Sequence, residues 1–276
     1  MLTTTPVQPP SSALLAALQQ LQNNNFRQKD SGEFNPASLT PSAVSDPVGK
    51  IILSCPQGRL GVEGYRELQR LYPDGVVTGD STPDFSNLPR TTTTVRENER
   101  QLVMIVCGGQ TGVDQAALHA AERLHYERGG IMPKGRMTET EPLDRRFPMT
   151  ENHSSAWNDR TEHNFTGADG TLAIFTGNEL DGTALTIIGP LRVGRPLFVA
   201  NLNEPVTDSL VQTFATWLKT NNIRCLNVGG PRQSHDLSRN IQSDAETFLE
   251  NLLQKAEATL RTTTPSLGEV SFAPRA

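Results

Sequence analysis

A glycine-rich loop follows an apolar run of the chain and leads directly into a helical pattern. Residues 102–107 read Leu-Val-Met-Ile-Val-Cys, which is typical of a fully buried parallel strand. The loop that follows, residues 108–114, reads Gly-Gly-Gln-Thr-Gly-Val-Asp. Glycines let backbone N–H groups approach a ligand, and unpaired amides at a helix N-terminus favour negative charge. This spacing therefore predicts the binding of an anion, such as a phosphate group.

Two further glycine loops follow apolar runs in the same way. Residues 176–183 read Thr-Gly-Asn-Glu-Leu-Asp-Gly-Thr, and residues 229–232 read Gly-Gly-Pro-Arg. Because the carboxyl ends of parallel strands lie at one edge of a sheet, we expect the three loops to converge on one pocket. Thr111 and Thr183 each stand at a predicted helix start, where a hydroxyl can bond an oxyanion. The loops lack the lysine of a P-loop, which disfavours ordinary NTP hydrolysis.

Basic and amide side chains near these loops are candidates for holding the polar groups of a ligand. In one short loop, Arg136 could fork onto a phosphate while Lys134 acts as a point charge; a solvated turn is the alternative. Arg160 and Asn164 are four residues apart on a predicted helix and therefore share one face, although that face could equally be turned to solvent. Arg232 directly follows the third glycine loop.

Several other kinds of chemistry are disfavoured. The five histidines lack metal-ligand spacing, no G-x-S-x-G nucleophile elbow occurs, and the three cysteines are too widely spaced to suggest a disulfide framework. A net charge of -5 and a pI of about 5.6 argue against broad attraction to nucleic acid or anionic membranes. No stretch has the length of a membrane span, and the N-terminus lacks the basic region of a secretory signal. We therefore expect a cytoplasmic protein without a metal site.

The elements that would position these residues alternate between strands and helices from residue 102 onward. Strands are predicted at 102–107, 171–176, 196–200 and 223–228, and helices at 113–125, 154–165, 183–193, 208–221 and 236–257. This alternation predicts an α/β fold, namely a Rossmann-like, doubly wound and mostly parallel sheet with helices on both faces. Pro190 lies inside the helix at 183–193 and is expected to kink or shorten it.

Composition divides the chain into four parts. Residues 1–47 are rich in Ser, Thr, Pro and Gln and are predicted to form a disordered arm, and residues 259–276 a disordered tail. Residues 48–100 are interpreted as an accessory element and linker, with a strand at 50–55 and a short helix at 62–71. The Rossmann-like ligand-binding domain is expected at 101–258.

The motifs between about residue 101 and 254 resemble, in order, those of the molybdenum carrier (molybdenum cofactor carrier-like) family. That family is part of a wider Rossmann-like superfamily, which includes the lysine-decarboxylase-like "lonely guy" proteins. The resemblance is carried by the motifs at 108–114, 133–136 (Pro-Lys-Gly-Arg), 141–143 (Glu-Pro-Leu), 147–149 (Phe-Pro-Met), Arg160 with Asn164, 182–186 (Gly-Thr-Ala-Leu-Thr), 194–196 (Gly-Arg-Pro) and 226–232 (Leu-Asn-Val-Gly-Gly-Pro-Arg). It does not cover residues 1–100.

The resemblance implies that the ligand is the molybdenum cofactor, a pterin with a terminal phosphate and a dithiolene-bound oxo-metal. It implies a carrier that binds without turnover, with glycine loops at the phosphate and arginine and asparagine at the pterin edges. The residues expected at the ligand are Gly108, Gly109, Gln110, Thr111, Gly112, Asp114, Lys134, Arg136, Arg160, Asn164, Gly182, Thr183, Gly230 and Arg232. Asp181 stands where the family usually has a second glycine, and its carboxylate would repel a bound oxyanion.

Two other functions stay open from the sequence. The "lonely guy" branch cleaves the N-glycosidic bond of nucleotides, but its glutamate one turn after Gly-Thr is missing here, where Ala-Leu-Thr follows Gly182-Thr183. The chain could instead be a secreted or interaction protein that uses residues 1–100 and keeps the core as a scaffold. The expected partner is a small phosphorylated ligand, with no nucleic acid and no membrane, and a homo-oligomer is left open.

Overall fold

The structure is a computed structural model. It describes residues 27–28, 32–33, 59–71, 100–152, 155, 157–177 and 183–263. Two short strands, β1 (Arg27–Gln28) and β2 (Gly32–Glu33), form an antiparallel pair. The strand predicted at 50–55 lies outside the described residues. The helix predicted at 62–71 is confirmed as α1 (Gly61–Leu71).

Strands and helices alternate through the rest of the chain, as the sequence predicts. The strands are β3 (Met104–Val106), β4 (Glu127–Gly129), β5 (Ile131–Met132), β6 (Thr150–Glu151), β7 (Gly170–Phe175), β8 (Leu197–Asn201) and β9 (Cys225–Gly229). The helices are α2 (Val113–Arg123), α3 (Trp157–Gly167), α4 (Ala184–Arg192), α5 (Asp208–Thr220) and α6 (Ile241–Thr263). The helix predicted at 236–257 is displaced most, because α6 continues into the segment predicted as a tail.

Five of these strands form one parallel sheet, in the order β4-β3-β9-β7-β8. β5 and β6 form a separate parallel pair. If β9 is placed before β3, the five strands take the order 3-2-1-4-5, which is that of the Rossmann sheet. The central strand of a Rossmann-like sheet is therefore supplied by the C-terminal part of this chain.

Helices cover both faces of the sheet. On one face, α2, α5 and α6 pack together over strand residues such as Ile105 and Leu226. On the other face, α1 packs over Met104 and Val106, while α4 packs over Ala173 in β7. The predicted α/β class and the doubly wound arrangement are thus confirmed. None of the described helices combines the length and the apolar character that a membrane span needs.

Two local features show how the chain departs from regular patterns. Residues 129–152, where the sequence patterns predict neither a strand nor a helix, contain β5, β6 and a short 3-10 turn at Lys134–Arg136. β4 is not predicted either, and it lies at the edge of the sheet. β4 and β6 are too polar, and β5 is too short, to give the apolar run that reveals a strand. The helix α4 contains Pro190 and runs past it to Arg192, so it keeps nearly the predicted length of 183–193 and is not shortened at the proline.

Candidate functional site

A cleft lies at the carboxyl ends of β3 and β9. It is lined by Gly108, Asp114, Arg160, Thr161, Asn164, Thr186, Asn227, Val228, Gly229 and Gly230. Its enclosed space measures about 40 Å³, which is room for a few water-sized groups. β9 leads to α6 on one face and β7 leads to α4 on the other. The cleft therefore lies at the topological switch point, where ligands bind in sheets of this kind.

A buried ion pair forms one wall of the cleft. Arg160 Nη1 on α3 lies 2.9 Å from Asp114 Oδ2 on α2, and the two side chains are 13% and 5% exposed. Burial raises the pKa of Asp114, although Arg160 and the amides of Gln110 and Gly108 act in the opposite direction. Arg160 Nε is buried and has no hydrogen-bond partner among the described residues. The guanidinium consequently keeps a donor for a further group.

The first glycine of the loop is required by Arg160. A Cβ atom built on Gly108 would lie 1.2 Å from Arg160 Nη1, so no larger residue fits while the guanidinium is in place. Gly112 has a positive φ of 78°, and a Cβ there would lie 2.4 Å from the carbonyl oxygen of Pro231. These two glycines thus allow protein groups to approach closely, which differs from the predicted role of admitting a ligand.

The amides of the first glycine loop have acceptors within the protein. Gln110 N donates to Asp114 Oδ2 at 3.3 Å, and Thr111 N donates to the side-chain oxygen of Gln110 at 2.9 Å. Val113 N, at the start of α2, donates to the carbonyl oxygen of Pro231 at 3.1 Å. The sequence predicts that these backbone amides are free to bind an anion. This expectation is corrected for the three amides, since each donates to an oxygen atom of the protein itself.

Two predicted ligand residues hold the backbone of neighbouring segments. Arg136 is 4% exposed, and its guanidinium donates to the carbonyl oxygens of Leu143, Asp144 and Phe147 at 2.9–3.0 Å. Asn164 Oδ1 accepts from Ile131 N at 2.8 Å, and its Nδ2 donates to Ile131 O at 2.7 Å. These contacts organise the 137–149 loop and fix α3 to β5.

The remaining predicted residues occupy different places. Gly230 lines the cleft, whereas Lys134 is exposed and does not line it. Thr183 is buried at the start of α4, and Gly109 is buried against Leu143. Gly182 lies outside the described residues, as does Asp181.

Thr111 and Arg232 meet in a second polar cluster around Glu139, a residue that the sequence did not single out. The Glu139 carboxylate accepts from the hydroxyls of Thr111 and Ser234 and, at 3.0 Å, from Ser234 N. Arg232 Nε lies 3.6 Å from Glu139 Oε2. Although burial opposes the charge, the hydrogen bonds from Ser234 and Thr111 together with Arg232 lower the pKa of Glu139.

Two further residues of the cleft, Thr186 and Asn227, were also missed from the sequence. Asn227 is 3% exposed, and its Nδ2 donates to Thr171 Oγ1 at 3.3 Å. A polar residue inside the apolar run at 223–228 is a signal that could have revealed it, because a buried amide needs partners. Thr186 gives a weaker signal, as a single hydroxyl in an apolar helix.

Comparisons with known proteins agree with the fold. The crystal structure of the "putative molybdenum carrier protein" from Syntrophus aciditrophicus SB is similar, with a TM-score of 0.52 and 32% sequence identity over 56% of this chain and 96% of that one. No curated protein matches the chain. The model of the circularly permutated YpsA SLOG family matches residues 105–253, which include every residue lining the cleft.

The family assignment rests on sequence and topology together. The match extends over more than half of the chain, from β3 into α6. The displaced position of β9 in the chain agrees with a permuted Rossmann-like sheet. The resemblance inferred from the motifs is thereby confirmed, and the chain belongs to the circularly permutated YpsA SLOG family.

Proposed function

We propose that this protein is a carrier that binds a phosphorylated pterin, such as the molybdenum cofactor, in the cleft at the carboxyl ends of β3 and β9. The observation that carries the proposal is the Arg160–Asp114 pair, which is buried at the switch point and retains an unpaired donor. The name of the similar Syntrophus protein supports the same class of cargo.

The polar groups of the cleft suit the edge of a pterin ring. Such an edge presents N–H donors beside a carbonyl acceptor, so it needs a carboxylate or amide oxygen next to a strong donor. Asp114 and Asn227 supply oxygens, and Arg160 Nε supplies the donor. Since the enclosed space is about 40 Å³, it accommodates only one end of such a ligand. The phosphate end would then lie beyond it.

Binding without turnover is proposed because the carboxylate of Asp114 is held by hydrogen bonds within the protein. Among the described residues that line the cleft, Asp114 is the one acid, and its carboxylate accepts from Arg160 and from Gln110 N. A carboxylate held in this way is a positioned acceptor, whereas a general base must be able to take a proton from the reacting group.

The test is an equilibrium titration of the purified full chain with a phosphorylated pterin. Arg160→Gln is expected to weaken binding by about tenfold or more, because a hydrogen bond from a charged donor is worth roughly 1.5–3 kcal/mol. Thr186→Val, which removes only a hydroxyl from the cleft, is expected to weaken binding less. The matched control is Arg145→Gln, which removes the same charge from an exposed residue of the 137–149 loop and should leave the affinity unchanged.

Three outcomes would contradict the proposal. Absence of saturable pterin binding by the wild-type chain would exclude the carrier function. If Arg160→Gln and Arg145→Gln change the pterin affinity equally, and circular dichroism shows that both variants are folded, the ligand binds outside the cleft. Release of free base from nucleoside monophosphates would show that the protein is an N-glycosidic hydrolase instead of a carrier.

A further inference from the structure

Helix α1 precedes the part of the chain that the family model matches, residues 105–253, and the residues at its start are bonded to the end of α3. Leu60 N, directly before α1, donates to the carbonyl oxygen of Gly167 at 2.9 Å. Arg59 Nε lies 3.1 Å from Oδ1 of the buried Asp169, shortly after α3. α3 also carries the guanidinium that lies in the cleft. An element outside the family-matched residues is thus attached to the helix that builds the site.

The contact between α1 and α3 centres on Tyr65, whose side chain is buried. Its Oη donates to Asn164 Oδ1 at 3.4 Å. A Cβ atom built on Gly167 would lie 2.8 Å from the same hydroxyl, so the glycine at the end of α3 allows the tyrosine to approach. Among the described residues, Asn164 lines the cleft and Tyr65 does not. Tyr65 can therefore act on a ligand only through Asn164 and the helix that carries it.

The other side of α1 is attached to the edge of the sheet. Arg66 Nε donates to Glu127 Oε2 in β4 at 2.8 Å. Gln69 Nε2 donates to the carbonyl oxygen of Arg128 in the same strand at 3.0 Å. Between these attachments and α3, apolar residues of α1 are buried over β3. α1 therefore extends from α3 to β4 and can hold α3 in one position on the sheet.

We propose that α1 holds α3 in its position on the sheet, and that Tyr65 is a positioning residue for the cleft that acts through Asn164 on Arg160. That this positioning serves ligand binding rests on the proposed function, whereas the contacts of α1 with α3 do not depend on it. Asn164 and Arg160 are about one turn apart on α3, so a shift of the helix at Asn164 moves the guanidinium as well. A ligand that needs Arg160 in place binds more weakly when α3 spends time elsewhere.

The first experiment measures backbone hydrogen exchange in the full chain, without ligand, for the variant Tyr65→Phe. This variant keeps the ring between α1 and α3 and removes the hydroxyl that bonds Asn164. The amides of α3 should exchange about threefold faster or more than in the wild type, because a buried hydrogen bond that resists local opening is lost.

Tyr126→Phe is the matched control, because it removes the hydroxyl of a second buried tyrosine. Tyr126 Oη donates to Glu257 Oε2 at 3.2 Å. The ring belongs to the apolar cluster on the other face of the sheet, which contains no described residue of α3. This variant should leave both the exchange of α3 and the pterin affinity at their wild-type values, although it also loses a hydrogen bond.

The second experiment repeats the pterin titration with the same variants. Tyr65→Phe should weaken binding by about threefold, although no group that lines the cleft is removed. In the Arg160→Gln background the same substitution should cause no further loss, because the group that α3 positions is then missing. A loss of stability alone would not produce this dependence on Arg160.

Three results would overturn the role of Tyr65. Equal exchange of α3 in Tyr65→Phe and Tyr126→Phe would show that α1 does not hold α3, whether or not pterin binds. Faster exchange with unchanged pterin affinity would show that the ligand is insensitive to the position of α3. An equal loss of affinity in the Arg160→Gln background would show that Tyr65 acts by another route. If the wild-type chain does not bind pterin, the proposed function fails, and the exchange of α3 still decides whether α1 holds it.

Discussion

Two carboxylates of the protein itself lie among the donors of the glycine loops. Asp114 accepts from Arg160 and the Gln110 amide, and Glu139 accepts from Thr111 and Ser234. Bringing a carboxylate out of water is unfavourable unless such donors offset the lost hydration. The balance differs between the two: burial raises the pKa of Asp114, whereas the donors lower the pKa of Glu139.

The contact between residue 108 and Arg160 gives a direct test at the residue scale. Gly108→Ala is expected to lower the free energy of unfolding by roughly 1–3 kcal/mol, because the added methyl group overlaps the guanidinium and separates it from Asp114. Urea denaturation measures this loss. In an Arg160→Ala background the same alanine should cost little, since the overlapping group is gone. Equal costs in both backgrounds would show that the strain arises elsewhere.

The lowered pKa of Glu139 predicts how its contribution to stability depends on pH. Because the pKa is lower in the folded chain, the contribution is fully present above the unfolded value, about 4.5, and is lost as the pH falls through the folded value. Wild type should therefore be more stable than Glu139→Gln at pH 7, and the difference should shrink as the pH falls below about 4.5. Urea unfolding of both chains at stepwise lower pH measures this, and a difference that grows on acidification would contradict it.

The sequence predicts some of these residues because the positions follow directly from strand ends. Asp114 lies in the first turn of the helix that follows β3, and Gly230 directly follows β9, so a parallel sheet must bring them together. The structural duties of Arg136 and Asn164 could not be predicted, because their partners are backbone groups placed by tertiary packing. Glu139 stands between two threonines in a polar loop, a pattern common on any protein surface.

At the scale of elements, Asn164 connects α3 to β5. Its side-chain amide forms two hydrogen bonds with the backbone of Ile131, as a neighbouring strand would. This contact is buried, and it fixes the helix that carries Arg160. The position of the guanidinium in the cleft thus depends on an asparagine one turn further along the same helix.

Removing the Asn164 side chain should reveal the energetic weight of this contact. Asn164→Ala leaves the N–H and C=O of Ile131 buried without partners, so we expect a loss of about 2–4 kcal/mol in the free energy of unfolding. Asn251→Ala on the exposed side of α6 is the control and should change stability by less than about 0.5 kcal/mol. Similar losses for the two variants would show that the backbone of Ile131 finds other partners.

Sequence patterns predict the elements unequally. β7 and the five helices after residue 102 follow from apolar runs and helical periodicity, which depend only on neighbouring residues. β4 reads Glu-Arg-Gly and forms an edge strand through pairing with β3, which lies more than twenty positions earlier. Pairing of that kind is set by the sheet as a whole and leaves no local signature.

At the scale of the whole molecule, the order of the strands in the sheet differs from their order along the chain. β9 lies between β3 and β7, although it comes last in the sequence. The turn before it, at Asn221 and Asn222, is exposed, and Asn222 has a positive φ of 50°. This turn is a suitable place for new chain ends.

A circularly permuted chain can test whether the fold depends on the order in which the strands follow one another along the chain. Joining residue 276 to residue 1 through a short flexible linker and opening the chain between Asn221 and Asn222 places β9 first, as in an unpermuted Rossmann-like sheet. Because loop-closure entropy changes slowly with length, we expect the same circular dichroism spectrum and pterin affinity within about threefold of the wild type. A folded product that lacks binding would show that the α5–β9 turn shapes the cleft.

The position of the aromatic residues gives the protein a built-in optical signal. The chain has two tryptophans. Trp217 and Phe214, both on α5, pack with Phe198 of β8, whereas the Trp157 ring lies 5.8 Å from the Arg160 guanidinium. Replacing Trp217 with phenylalanine would leave a single indole beside the cleft. The fluorescence of Trp157 would then change when a bound ligand moves the Arg160 guanidinium. Ligand binding could therefore be followed by intrinsic fluorescence, without an added dye.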